Sequence, residues 1–341
     1  MKAVAVVFLV ACLVAGGRLS DVMLSAQSRA TFLSKRSANA VRVVTWNVGT
    51  DSVFPASDGA LHATAPGRPA QFARIMRALD PDVLCLQEIT RDEESTASLL
   101  DAVLPLGQGR LWEAQATFDN VIVSRFDLTF RGGRVIEHGP LRRGHATALV
   151  EVPRTLAPRD LYVICAHFQS AAGTERVAHR QRQADAIAAW IRDATSTGGD
   201  IDLPPRTAIV VAGDLNVIPS DPGRHLRTLR DGDIADERSF GPDRKPDWDR
   251  TSLEEVPARH NGRGIDRYTW RDDLQRYTPG ILDRVLFTDS VATLSHSFVL
   301  NTTSMSKPDL EAAGLGSTDV MRDPTRGVHD HLPVVVDLVI K

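Results

Sequence analysis

One run of small and β-branched residues, Thr207-Ala-Ile-Val-Val-Ala-Gly-Asp-Leu-Asn216, most constrains what this chain can fold into. Its apolar part is typical of a buried strand, and it ends abruptly in Gly213, Asp214 and Asn216. Because Gly, Asp and Asn are also ordinary turn formers, this run alone fits a core strand that closes in a turn equally well. Five other apolar runs end in, or begin next to, polar groups: Trp46-Asn47, Gln87-Glu88, His167, Asp283-Arg284 and Asp330-His331. Six such strand ends in one chain predict a single site.

The length and composition favour one large α/β domain. A chain of 341 residues with 43% hydrophobic content can bury a substantial core, which excludes disorder as a whole. Strand and helix patterns alternate, and many short strands before residue 165 indicate hairpins as well. No internal repeat or second apolar core is evident, so we predict one domain over residues 41–341. A formal net charge of -3 provides no overall basic field for nucleic acid, although a local patch is compatible with it.

The N-terminus has the pattern of a secretory signal peptide. Lys2 is followed by a short apolar run that ends in Gly16-Gly17, so we expect residues 1–17 to be the signal and the protein to be secreted or periplasmic. The run is short for a membrane span. Two alternatives stay open, namely lipidation at Cys12 after Leu9-Val-Ala and retention of the leader as an uncleaved anchor. Residues 18–40 are polar and Ser-rich, which predicts a linker.

Helical periodicity predicts helices over 69–79, 94–103 and 175–194, whereas 217–280 and 301–327 are predicted to be mostly loop. Cys85 and Cys165 lie within apolar runs, and we expect two buried thiols there.

Two residues outside the strand ends are candidate phosphate contacts. Arg143 belongs to an Arg pair that precedes an apolar strand, and such a pair can clamp a phosphate, although most surface Arg pairs are only solvated. Asn120 begins another predicted strand and supplies an amide.

Six short motifs follow one another along the chain: Thr45-Trp46-Asn47, Leu86-Gln87-Glu88, His167, Gly213-Asp214-Leu215-Asn216, Leu282-Asp283-Arg284 and Asp330-His331-Leu332-Pro333. They occur in the order found in the endonuclease/exonuclease/phosphatase superfamily, which the chain resembles over residues 41–341. The resemblance implies a four-layer α/β/β/α sandwich of two mixed β-sheets flanked by helices. It also implies hydrolysis of a phosphoric ester with a divalent metal, normally Mg²⁺, with Mn²⁺ or Ca²⁺ as alternatives.

The resemblance assigns the metal to Glu88 with help from Asn47, since carboxylate and amide oxygens suit a hard cation. Asp330 is either a further ligand or a structural neighbour.

The same resemblance assigns five catalytic residues. His331 is expected to be the general base, with Asp283 holding its tautomer. Asp214 and Asn216 are expected to position water and phosphate. His167 is expected to donate to a phosphate oxygen or to protonate the leaving group.

Two departures from the abasic-site endonucleases disfavour that activity. Those enzymes carry Asp where this chain has Gly49, and Tyr where it has His167. We therefore expect a phosphodiesterase acting on nucleic acid or on a smaller phosphoester. We also expect a monomer, and the sequence indicates no particular protein partner.

Two other functions stay open. A sphingomyelinase-like phospholipase C acting on membrane lipid needs an exposed apolar hairpin, for which Trp248 and Trp270 are the only candidates. A non-catalytic binding module is the third hypothesis, but every expected catalytic position is filled.

Overall fold

The computed structural model describes residues 31–55, 68–130, 135–136, 144–221, 223–275 and 277–341. The proposed signal peptide and Arg143 lie outside the described residues. The strands, in chain order, are β1 (Val41–Asn47), β2 (Val83–Gln87), β3 (Glu113–Ala116), β4 (Asn120–Ser124), β5 (Leu128–Thr129), β6 (Val135–Ile136), β7 (His145–Val150), β8 (Leu161–His167), β9 (Ala208–Asp214), β10 (Glu254–Glu255), β11 (Asp283–Phe287), β12 (Ala292–Val299) and β13 (Val334–Ile340). The helices are α1 (Pro69–Leu79), α2 (Glu93–Val103), α3 (Thr174–Ala194), α4 (Arg224–Asp231), α5 (Glu237–Phe240) and α6 (Lys307–Ala313), with a 3₁₀ turn at Thr302–Ser304.

Two mixed sheets form the centre of the fold. The first has the strand order β12-β13-β1-β2-β4-β3, and the second has the order β10-β11-β9-β8-β7-β5, with β6 also paired to β7. Within the described residues β1 and β2 are parallel, β8 and β9 are parallel, and the other pairs are antiparallel. The sheets face each other, since Gln87 of β2 donates to the Cys165 sulfur of β8 at 3.3 Å. The predicted sandwich is confirmed.

Helices cover the outer face of each sheet because their apolar stripes need a partner. Phe72 of α1 stacks on Trp46 of β1 with ring centroids 6.1 Å apart. On the second sheet, Ile187 and Ile191 of α3 belong to a separate buried cluster with β8 and β9 side chains. The three helices predicted from periodicity are present, with starts displaced by at most one residue.

The predicted loops contain more structure than the sequence indicates. Helices α4 and α5 lie within 217–280, α6 lies within 301–327, and β12 was not anticipated. The register of β12 shifts between Leu294 and His296, so its side chains do not alternate cleanly between the two faces.

Part of the predicted linker is folded. Phe32 and Leu33 are buried in the core, and the Phe32 ring meets Phe298 of β12 edge-on at 5.2 Å. The packed domain therefore includes residues before Val41. Two apolar side chains in a short segment have no periodicity, which is why the sequence did not reveal the contact.

Both thiols are buried, as expected. None of the helices in the described part of the chain combines the length and apolarity that a membrane crossing requires.

Candidate active site

Strand register explains why the polar strand ends meet. In the second sheet Asp214, at the end of β9, pairs with His167 of β8 on one side and with Asp283 of β11 on the other. In the first sheet Asn47 and Gln87 pair at the ends of the parallel strands β1 and β2, and Glu88 follows directly. The sequence predicted this convergence.

These ends line a cleft of about 760 Å³. The predicted site residues that line it are Asn47, Glu88, His167, Asp214, Asn216, Asp330 and His331. Asp283 lies behind His331, to which it is hydrogen-bonded.

Asp214 occupies the centre of the site and is buried. Its Oδ2 lies 3.6 Å from Nε2 of His167 and 3.7 Å from Nε2 of His331. Nδ2 of Asn47 donates to the same oxygen at 3.2 Å, which links the two sheets. Burial raises the pKa of Asp214, while the neighbouring His331 opposes that rise.

His331 is backed by Asp283. Its Nδ1 lies 2.8 Å from Oδ2 of Asp283, so Nε2 is the nitrogen that faces Asp214. Burial would lower the pKa of His331, but Asp283, Asp214 and the hydrogen bond outweigh it and raise the pKa to about 10. The other oxygen of Asp283 is buried without a hydrogen-bond partner among the described residues.

His167 is backed in the same manner by Asp119, whose Oδ2 lies 2.8 Å from Nδ1 of His167. Burial would lower the pKa of His167, but Asp119, Asp214 and Glu88 raise it to about 9. Sequence reasoning missed Asp119. A signal existed, because Asp119 directly precedes β4, whose first residue pairs with Gln87 at the edge where the site forms.

Glu88 is held as an anion. Thr50 donates to its Oε2 from the backbone nitrogen at 2.8 Å and from the hydroxyl at 2.9 Å, and Asn47 donates to its Oε1 at 3.1 Å. Burial would raise the pKa of Glu88, but these bonds and the nearby His167 lower it to about 2. Its φ of 62° lies in the left-handed region, which a non-glycine residue adopts only where surrounding contacts enforce it.

Asn216 shares that left-handed backbone, with a φ of 48°. Its Nδ2 donates to the Phe168 carbonyl at 2.9 Å, so its amide group is oriented beside the cleft. Asn120 is placed differently: its Nδ2 donates to Asp119 at 3.0 Å and to the Gly144 carbonyl at 3.1 Å, and it does not line the cleft. Here it orients Asp119, and its predicted phosphate contact stays a prediction.

Asp330 is held by Trp270, whose indole Nε1 donates to it at 3.2 Å, and more loosely by Arg322 at 3.4 Å. Arg322 was not a candidate from the sequence. Among the described residues that line the cleft it is the one arginine, and lysine does not occur there. It lies in a long polar segment without periodicity, so no sequence signal distinguishes it.

The two tryptophans considered for a membrane hairpin are packed against the protein. The indole of Trp248 donates to the Thr207 carbonyl at 2.7 Å, and that of Trp270 donates to Asp330. The polar end of each indole is thus satisfied within the fold, which disfavours insertion of either ring into a membrane.

The donor set fits a divalent cation. Five carboxylates gather at the cleft, from Glu88, Asp119, Asp214, Asp283 and Asp330, and oxygen-rich clusters of this kind suit hard ions.

Two sets of ligands are available in this cluster. Ligand atoms of Asp214, Asp283 and His331 lie within 4.8 Å of one another and can hold a metal. That set differs from the predicted one of Glu88, Asn47 and Asp330. Within the first set, His331 and Asp283 already hydrogen-bond to each other.

Residues 44–306 match the model of the endonuclease/exonuclease/phosphatase family, and the chain belongs to that family. It is therefore a metal-dependent phosphoric ester hydrolase, as the sequence predicted. A comparison with curated proteins finds none that matches.

Several solved structures share the fold. ANGEL2, a 2',3'-cyclic phosphatase in complex with adenosine-2',3'-vanadate, is 14% identical with a TM-score of 0.54, covering 89% of this chain and 97% of its own. A family protein from Bacteroides thetaiotaomicron is 14% identical with a TM-score of 0.53, covering 89% and 98%. The human Nocturnin catalytic domain with bound sulfate is 15% identical with a TM-score of 0.51, covering 89% and 95%. At these identities the likeness establishes the fold.

Proposed function

We propose that this protein is an exported, Mg²⁺-dependent phosphodiesterase that hydrolyses nucleic acid with a water activated by His331. One observation carries the proposal: His167 and His331 approach the same oxygen of Asp214, at 3.6 and 3.7 Å, and each has its own carboxylate at 2.8 Å. Two oriented imidazoles on one centre can supply both proton transfers of a hydrolysis.

In this reaction the water oxygen forms a new bond to phosphorus while His331 Nε2 takes the water proton. Asp283 keeps Nδ1 protonated and stabilises the imidazolium that forms. The ester bond to the leaving group breaks, and His167 Nε2 gives a proton to the departing oxygen. In the metal-free protein the pKa of His167 is raised to about 9, which keeps the ring protonated at neutral pH and suits an acid.

Asp214 and Asn216 would orient the attacking water and the phosphate between the two imidazoles. Glu88, Asn47 and Asp330 would hold the cation. When bound, Mg²⁺ would offset charge on the non-bridging phosphate oxygens.

Of the carboxylates that raise the pKa of His331, Asp330 would also hold the cation. A cation bound beside the ring would favour the neutral imidazole that a base requires.

A substrate panel tests the reaction class. With Mg²⁺, we expect hydrolysis of bis-p-nitrophenyl phosphate and of at least one nucleic acid among single-stranded DNA, plasmid DNA and RNA. Both activities should be lost completely in excess chelator, and Mn²⁺ and Ca²⁺ are assayed in parallel. Glu88→Gln should raise the Mg²⁺ concentration needed for half-maximal rate, whereas Glu94→Gln, on the exposed face of α2, should leave it unchanged. Full activity in chelator would contradict the mechanism, and hydrolysis of sphingomyelin alone would replace nucleic acid by lipid.

Export rests on the leader pattern of residues 1–17 and is tested separately. N-terminal sequencing of the mature protein from the medium or periplasm should show a start near Arg18. An intact Met1 on cytoplasmic protein would contradict cleavage and export, and an intact Met1 on membrane-bound protein would favour the retained anchor.

A further inference from the structure

Three aromatic side chains line the same cleft as the two histidines, namely Phe118, Trp270 and Tyr277, which we call the aromatic wall. Phe118 is 58% exposed and Tyr277 is 61% exposed. Few other large apolar side chains among the described residues are exposed to water. Exposed rings inside a cleft retain apolar surface that a ligand can cover.

The wall flanks the catalytic centre on two sides. Phe118 directly precedes Asp119, the hydrogen-bond partner of His167. Trp270 forms an isolated backbone bridge with His331. Because His167 and His331 approach Asp214 separately, Phe118 belongs to the His167 side and Trp270 to the His331 side.

Trp270 packs against a second aromatic residue, Tyr277, on the His331 side of the cleft. Its ring centroid lies 5.9 Å from that of Tyr277, at an interplanar angle of 43°, and its indole nitrogen is held by Asp330. Trp270 is thereby fixed in place, while the ring of Tyr277 remains open to a partner.

The charge of the cleft limits the kind of nucleic acid that it can bind. Duplex binding depends on many Lys and Arg contacts to phosphate. Here Arg322 is the one arginine among the described lining residues, and the whole chain carries a net charge of -3. Affinity must then come from another source, and stacking of unpaired bases on aromatic rings is one that tolerates any base sequence.

We propose, building on the phosphodiesterase function above, that the aromatic wall forms two base-stacking subsites on either side of the scissile phosphate. Phe118 receives the base on the His167 side, and Tyr277 with Trp270 receives the base on the His331 side. The substrate is therefore single-stranded nucleic acid with bases free of a complementary strand.

Equilibrium binding tests the subsites independently of turnover. A fluorescently labelled single-stranded oligonucleotide is titrated with the protein in chelator, and anisotropy is compared with that of the same strand in a duplex. The wild type should bind the single strand at least tenfold more tightly than the duplex. Phe118→Leu and Tyr277→Leu keep apolar volume but remove the aromatic face, so each should raise Kd about 5- to 150-fold.

Matched variants separate stacking from general packing. Phe118→Tyr and Tyr277→Phe retain a ring and should restore binding to within about threefold of the wild type. Ile265→Ala removes an exposed side chain, 85% accessible, that does not line the cleft, and it should leave Kd unchanged. With Mg²⁺, the loss in Phe118→Leu should appear in KM more than in kcat.

The possible outcomes distinguish failure of the stacking subsites from failure of the proposed function. No binding of the single strand by the wild type, or an unchanged Kd in both leucine variants, overturns the subsites even if bis-p-nitrophenyl phosphate is hydrolysed. Binding of the single strand without hydrolysis of any phosphodiester overturns the proposed function and leaves the subsites standing. Preferential binding to sphingomyelin vesicles that is lost in Phe118→Leu would overturn the subsites, because the aromatic wall would then contact membrane.

Discussion

Replacing Asp283 by Asn tests whether His331 is a base or a structural histidine. The two side chains are buried, and Oδ2 of Asp283 lies 2.8 Å from Nδ1 of His331. Asn has nearly the same shape and can still accept a hydrogen bond from Nδ1. The substitution therefore removes the negative charge while it preserves the packing.

The expected change in the pKa of His331 follows from the interactions that raise it. Against burial, Asp283 and Asp214 raise it from 6.5 to about 10, which corresponds to about 5 kcal/mol of preference for the protonated ring. Asp283 is the first of the carboxylates that oppose burial, so Asp283→Asn should lower the pKa of His331 by more than about one unit.

The raised pKa of His331 also determines how the stability of the protein depends on pH. Because the folded pKa exceeds the unfolded value, His331 stabilises the metal-free protein fully below pH 6.5, and this contribution disappears as the pH rises through 10. Asp283→Asn should reduce the fall in unfolding free energy over that window.

Catalysis should respond more strongly. General-base catalysis contributes about 10²- to 10⁴-fold, or about 3 to 5 kcal/mol, so we expect losses of that size in kcat for His331→Ala. Asp283→Asn should also be slow because it cannot stabilise the imidazolium. The double variant should be scarcely worse than His331→Ala, since the pair acts as a unit.

Three measurements test whether His331 is the general base and Asp283 its partner. They are NMR titration of the His331 ring in chelator, kcat with Mg²⁺ for the single and double variants, and denaturant unfolding at several pH values. A wild-type His331 pKa near 6.5 would refute the electrostatic account of the raised pKa. Near-normal kcat in a folded His331→Ala protein, or independent additive losses in the double variant, would refute the assignment of His331 as the base.

The remaining predictions concern stability and are measured by urea unfolding. Arg42→Met should cost about 3 to 5 kcal/mol, because it leaves Asp337 buried without its two hydrogen bonds of 2.7 and 2.8 Å, and a loss below about 1 kcal/mol would contradict this account. His225 is buried with a pKa lowered to about 4, first by burial, so stability present above pH 6.5 should fall by about 3 kcal/mol toward pH 4. His225→Phe should abolish that part of the slope, and an unchanged slope would show that another group titrates. Gly213→Ala should cost about 3 kcal/mol or more, since a Cβ there would lie 1.8 Å from the Ala166 carbonyl oxygen, and a stable variant would refute the close approach.

Local patterns predicted the elements that carry their own signal. Helix α3 was visible because its apolar residues recur at helical spacing, and α1 because Pro69 starts it and Pro81 follows it. Strand β12 was missed because its register shift disturbs the alternation that marks a strand. Likewise, the contact of Phe32 with the core depends on a partner far away in the chain.

Sequence patterns by themselves determined an α/β domain with polar groups at its strand ends, because a buried strand must release its polar residues where it leaves the core. These patterns therefore identified Asp214, His167 and His331 as members of one site. The sandwich of two sheets was implied by the resemblance to the family. That resemblance also paired Asp283 with His331, but only the tertiary structure decided which carboxylate serves His167. Asp119 reaches His167 from the opposite sheet. Pairings between sheets, and the pKa values they produce, depend on distances in space that no local pattern encodes.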